Sequence, residues 1–101
     1  MKRAALLLAL LAACNHNKAG TSRVTADDAI FYVKSNVPDA GLYVDGRFVG
    51  PVGGLKGGVA VVAGKHRLEV RHDDYFARYI ELDLQRAERK RLDIDLAPVL
   101  P

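Results

Sequence analysis

Nucleophiles are confined to the front of this chain. Beyond Ser35 there is no Ser, Thr or Cys, so the long C-terminal part has no hydroxyl or thiol with which to form a covalent intermediate. Thr21, Ser22, Thr25 and Ser35 precede it, as does the one cysteine, Cys14. A lone cysteine excludes an internal disulfide and any Cys-based zinc cluster. His66 and His72 fall on one alternating stretch and share a face, but six residues of strand separate them by about 20 Å, too far to chelate one metal. His72-Asp73-Asp74 offers three adjacent donors with no evident fourth. The carboxylate pairs Asp27/Asp28, Asp73/Asp74 and Asp93/Asp95 would need a cleft to face one another across a substrate, and the chain has no insertion to build one. The glycines around Gly50-Pro51-Val52-Gly53-Gly54-Leu55-Lys56-Gly57-Gly58 do not spell a phosphate-binding loop, because no Gly-x-Gly-x-x-Gly occurs and Gly64-Lys65 lacks the preceding loop glycine. These readings predict a protein that is not an enzyme and needs no cofactor or metal.

Two surface features carry recognition chemistry instead. If residues 66–72 and 75–84 pair as a hairpin, Arg67 and Arg71 share a wet face with Tyr79 and with Tyr75, and arginine beside tyrosine suits protein or glycan contacts. Arg86, Arg89, Lys90 and Arg91 form a basic turn that fits anionic lipid headgroups.

The elements that position these residues follow from composition and pattern. The 101 residues are 50% hydrophobic and 27% charged, enough for one small domain with an appendage. Residues Met1 to Cys14 start basic with Lys2 and Arg3, run apolar from Ala4 to Ala13, and give way to polar Asn15-His16-Asn17-Lys18. That is the pattern of an export signal, and it is too short for the roughly 20 apolar residues of a spanning helix. Without Lys2 and Arg3 the 15 basic residues become 13 against 12 acidic ones, a net charge of +1, which argues against nucleic acid as a partner. From Asn15 to Asp27 nothing is periodic, and such a leash spans about 20 Å.

After Asp28 the pattern is β. Strands are predicted at Ala29–Val37, Gly41–Asp45, Arg47–Gly50, Val59–Ala63, His66–His72, Tyr75–Leu84 and Arg91–Ala97, with Asp45-Gly46 as a tight primed hairpin turn. Leu68 and Val70 oppose Arg67, Glu69 and Arg71; Ile80, Leu82 and Leu84 oppose Tyr79, Glu81 and Asp83; Leu92, Ile94 and Leu96 oppose Arg91, Asp93 and Asp95. The period of two implies antiparallel sheets with one wet face each, and about seven short strands imply a small all-β sandwich.

Leu11-Ala12-Ala13-Cys14 resembles the lipobox of bacterial lipoproteins. The resemblance implies cleavage between Ala13 and Cys14, lipidation of the Cys14 thiol with further acylation of the new amino terminus, and anchorage in a membrane, since two or three acyl chains hold firmly where one is marginal. Asn15 is not the aspartate that in enterobacterial relatives retains lipoproteins in the inner membrane, so the resemblance implies the outer membrane, facing the periplasm. Val37-Pro38-Asp39-Ala40-Gly41-Leu42-Tyr43-Val44-Asp45-Gly46-Arg47-Phe48-Val49-Gly50 resembles the opening of a PEGA domain, and Gly64-Lys65-His66 with Tyr75 resembles its later signature. The match departs at Asp39, at the reversed order of Ala40 and Gly41, and at Asp74, where the family has glycine. The family resemblance, from Ser35 to Pro98, implies an extracytoplasmic β module without catalytic residues.

The combined expectation is a signal peptide at 1–13, a lipidated tether at 14–27, and a PEGA-like β-sandwich at 28–101. Its expected role is scaffolding in the cell envelope through protein–protein contacts, with an exposed edge strand testable by proline at Val61. The alternative is binding of peptidoglycan or a surface polysaccharide through Arg67, Arg71, Tyr75 and Tyr79.

Overall fold

The stretches that alternate apolar and polar residues become strands in the computed structural model, which describes residues 17–18 and 23–100. In chain order these are β1 (Asn17–Lys18), β2 (Ala29–Lys34), β3 (Gly41–Val44), β4 (Arg47–Pro51), β5 (Val59–Val61), β6 (Gly64–His72), β7 (Tyr75–Leu84) and β8 (Arg89–Asp93). The seven strands expected after Asp28 all form, with shifted ends. A 3-10 turn, Val52–Gly54, interrupts them. They make two four-stranded sheets, ordered β1-β5-β2-β8 and β4-β3-β6-β7.

The sandwich is closed by the inward residues of both sheets. Ala29, Phe31, Val59 and Val61 from the first meet Leu42, Val44, Leu68, Val70, Leu82 and Leu84 from the second in one apolar cluster. Phe31, Leu42, Leu68, Leu84 and Ile94 are fully buried, and each large side chain so buried contributes about 1.5–3 kcal/mol.

Local chemistry sets the turns. Asp45 and Gly46 both adopt left-handed backbone, φ 51° and 85°, the primed geometry that matches the twist of a two-residue hairpin. Val44 consequently pairs with Arg47 and Tyr43 with Phe48. Ser35 accepts the Val37 N–H on its hydroxyl at 3.1 Å. Ala40 N–H closes the Pro38-Asp39 turn on the Val37 carbonyl at 3.0 Å.

Three expectations change. The second sheet is antiparallel throughout, but in the first sheet β8 runs parallel to β2, from Ile30 opposite Arg89 to Lys34 opposite Asp93. Alternation specifies which face a residue occupies and is silent on the direction of the neighbouring strand. The last strand begins and ends earlier than Arg91–Ala97, although Ile94 and Leu96 remain buried. Here the Asn36 side chain replaces a strand partner: its Nδ2 donates to the Leu96 carbonyl at 3.0 Å and its Oδ1 accepts the Leu96 N–H at 2.9 Å. Finally, parts of the supposed leash belong to the domain. Asn17–Lys18 pair in parallel with Val59–Ala60, Asp28 accepts the Thr25 N–H at 2.8 Å, and the Asp27 carbonyl accepts Ala87 N–H at 3.1 Å.

Candidate functional site

The outer face of the second sheet gathers the aromatic and arginine side chains. The registers align Tyr43 with Phe48 on one side and with Glu69 on the other, and Glu69 with Tyr79, so Phe48, Tyr43, Glu69 and Tyr79 form one row across four strands. Phe48 and Tyr79 stand 60% and 63% exposed, well above what an ordinary packed aromatic shows. They stand at the two ends of the row, on the outer strands of the sheet, with Tyr43 and Glu69 between them. Gly41 leaves room beside the row, since a Cβ there would lie 3.1 Å from the Phe48 ring.

Glu69 organises the centre of the row. Arg71 Nη2 donates to its Oε1 at 2.8 Å and Arg71 Nε to its Oε2, a bidentate pair that fixes the guanidinium. The guanidinium carbon lies 4.2 Å from the centroid of Tyr43, close enough for a cation–π contact. The hydrogen bond from Arg71, and after it the neighbouring Tyr79 hydroxyl and the charges of Arg71 and Arg67, hold the Glu69 carboxyl below its ordinary range against the opposing effect of burial. The neighbouring Glu69 carboxylate in turn raises the pKa of Tyr79. Arg67 sits one rung away, opposite Glu81.

Of the predicted ligand face, Arg67, Arg71 and Tyr79 therefore come together. Tyr75 does not join them. Val70 pairs with Arg78 but His72 pairs with Tyr75, so β7 contains one extra residue, and this bulge reverses the alternation. Tyr75 packs against the core, edge-on to His72 with ring centroids 5.1 Å apart. Tyr43 and Phe48, which lie outside the expected face, join it; the two-residue turn at Asp45-Gly46 requires them to pair.

His66 and His72 are each committed to an aspartate. His66 Nδ1 meets Asp45 Oδ2 at 2.6 Å and Nε2 meets the Val62 carbonyl at 2.5 Å. With an acceptor at each nitrogen the imidazolium is favoured; burial opposes the charge, but the Asp45 hydrogen bond, the Val62 carbonyl and the Asp45 charge outweigh it and raise the His66 pKa. His72 Nδ1 accepts the Asp74 N–H at 3.1 Å and Nε2 faces Asp39 at 3.0 Å, so its ring links two turns. Among the described residues no group of three or more His, Cys, Asp or Glu is placed to hold a metal ion.

The basic turn is partly engaged by the protein itself. Arg86 pairs with Asp27 at 2.8 Å, Arg89 donates to the Tyr32 hydroxyl at 3.2 Å, and Arg91 lies 4.8 Å from the centroid of the Tyr32 ring. Val61, expected on an exposed edge, is 1% exposed and pairs with Ala29. Proline there would disrupt the core and cannot test an edge. Among the described residues no helix is long and apolar enough to cross a membrane. Ala13 and Cys14, the expected cleavage and lipidation positions, lie outside the described residues. Compared with known protein families and with curated proteins, the sequence matches none.

Proposed function

We propose that the chain is a cell-envelope lipoprotein, anchored in the outer membrane through lipid on Cys14, whose PEGA-like β-sandwich is a non-catalytic module for contacts with an envelope protein. The observation that carries the contact reading is the exposed row Phe48-Tyr43-Glu69-Tyr79 with Arg71 clamped at its centre. Tyrosine and arginine in a fixed, partly desolvated arrangement are the residue types that dominate protein interfaces. A sugar-binding platform is less well served. Arg71 already covers one face of Tyr43, and the Tyr43 and Phe48 rings are tilted 59° to one another, so they offer no shared plane on which a pyranose could lie. The lipid anchor rests on the lipobox-like Leu11-Ala12-Ala13-Cys14 and the basic, apolar segment before it.

The test places a photocrosslinking amino acid at Phe48 or Tyr79 in the full chain expressed in a bacterial envelope. A discrete protein adduct that disappears in Arg71→Ala supports the assignment. Saturable, salt-resistant cosedimentation with peptidoglycan sacculi, lost in Arg71→Ala and Tyr79→Ala, would move it to glycan binding. Metabolic labelling with radioactive palmitate tests the anchor separately: label absent from the wild-type chain, or retained in Cys14→Ser, refutes it.

A further inference from the structure

A groove of about 590 Å³ lies along the first sheet, lined by the end of β2, by Arg91, Leu92 and Asp93 of β8 and by the turn that carries Val52 and Leu55. Its existence comes from an unfinished strand pairing. β5 covers β2 only from Ala29 to Phe31, where Phe31 pairs with Val59. Gly58 then takes φ +91°, and the Tyr32 ring occupies the space where a side chain at 58 would lie, 2.8 Å from the position of a Cβ. The pairing of β5 with β2 ends there, and among the described residues Tyr32, Val33 and Lys34 have no strand beside them on that edge.

The register decides what this edge presents. Ile30 N–H bonds to Glu88 and the Lys34 carbonyl accepts from Ile94, so the even-numbered residues of β2 direct their backbone groups toward β8. Val33, at an odd position, directs its N–H and C=O the other way, into the groove, where no described residue pairs with them. The walls supply the rest of a recognition site. Partly buried Val33 and Leu92 give an apolar floor backed by the buried Val52 and Leu55, while Lys34, Lys56 and Arg91 line the groove with a single carboxylate, Asp93, which leaves a net charge of +2.

We propose that this groove binds an extended acidic segment of a partner protein, which adds one rung to β2 at Val33, seats an apolar side chain on the partly buried Val33 and Leu92, and sets carboxylates against Lys34 and Lys56. An open strand edge recognises peptide backbone, and the excess positive charge selects acidic side chains over basic ones. The volume lies within the range of ordinary ligand pockets. The groove belongs to the first sheet and shares no residue with the aromatic row of the second, so a failure at either site leaves the test of the other intact.

The experiment titrates the ¹⁵N-labelled full chain, in neutral-detergent micelles, with an acetylated and amidated Glu-Val-Glu-Val-Glu peptide. Its Lys-Val-Lys-Val-Lys counterpart and phosphatidylglycerol vesicles serve as comparisons. The expected result is saturable shift changes at Val33, Leu55 and Lys56 with the acidic peptide alone, and slowed exchange of the Val33 amide. The double variant Lys34→Glu/Lys56→Glu is expected to weaken binding roughly tenfold or more while other resonances stay in place, and Lys34→Gln/Lys56→Gln to weaken it less. No shifts at millimolar peptide, equal binding of the basic peptide, unchanged Val33 exchange, or binding of vesicles without binding of peptide would each overturn the proposal.

Discussion

Replacing Asp45 tests how the tight turn is held to the sheet. Its Oδ1 accepts the Arg67 N–H at 2.9 Å and its Oδ2 accepts from His66 at 2.6 Å, while its backbone N–H donates to the Arg67 carbonyl at 2.8 Å. Asp45→Ala removes both side-chain bonds and places alanine at φ 51°. Each lost hydrogen bond costs about 0.5–1.5 kcal/mol and the left-handed alanine about 1–2 kcal/mol. Because the aspartate side chain is half exposed, water recovers part of the first cost, and a total loss of about 2–3 kcal/mol is expected. Asp45→Asn keeps a side chain that tolerates the turn and whose oxygen can still accept the Arg67 N–H, but it loses the charge and the bond accepted from a protonated His66, for about 1 kcal/mol. The pH dependence separates the contributions. His66 titrates in the folded state above its unfolded value of 6.5, so the stability it adds is complete below that value and lost as pH rises through the raised pKa. Despite burial, the Arg67 N–H and His66 hold Asp45 below its unfolded value of 3.8, so its contribution is present above that value and lost as pH falls through the lowered one. The pair is therefore worth most between these limits. Urea unfolding followed by far-ultraviolet circular dichroism at weakly acid and at alkaline pH should show the gap between wild type and Asp45→Asn narrowing on the alkaline side. A gap that is the same at both pH values refutes the charged clamp, and Asp45→Ala no worse than Asp45→Asn refutes the role assigned to the turn backbone.

Other substitutions test the packing. Gly58→Ala should destabilise by more than 1 kcal/mol, roughly, because its Cβ would lie 2.7 Å from Ile30 and 2.8 Å from Tyr32 at φ +91°, whereas Gly46→Ala meets open space and bears only the strain of φ +85°; thermal unfolding of the two variants should rank them in that order. Asn36→Ala removes both bonds to Leu96 and should cost about 1–3 kcal/mol, with the Leu96 amide exchanging faster than amides of β6. Leu68→Ala, in the middle of the second sheet and fully buried, should cost about 2–5 kcal/mol in denaturant unfolding.

What the sequence discloses here is mostly local. Alternation in residues 66–72 and 75–84 places Arg67, Arg71 and Tyr79 on one face because side-chain direction has a period of two along a strand, and Asp45-Gly46 specifies a hairpin because few residue pairs accept two left-handed positions. The same period fails at Tyr75, where a bulge in β7 depends on how β6 and β7 must end together and leaves no mark in the pattern of either. Partner choice is equally hidden. Arg89 to Asp93 could lie beside any strand of either sheet, and only the polar turn at Gln85–Glu88, closed by Glu88 N–H on the Gln85 carbonyl, carries the chain from the second sheet to the first and brings β8 alongside β2 in parallel. Long-range use of a short polar side chain is the other gap. Asn36 reads as a loop residue, yet it holds Leu96, sixty positions away, as a strand neighbour would. The aromatic row stands between these cases: Phe48 opposite Tyr43 follows from the turn, whereas Glu69 beside Tyr43 requires knowing that β3 and β6 are neighbours. A site made by joining strands across a sheet is thus legible one hairpin at a time, and its centre emerges only when the two hairpins are laid side by side.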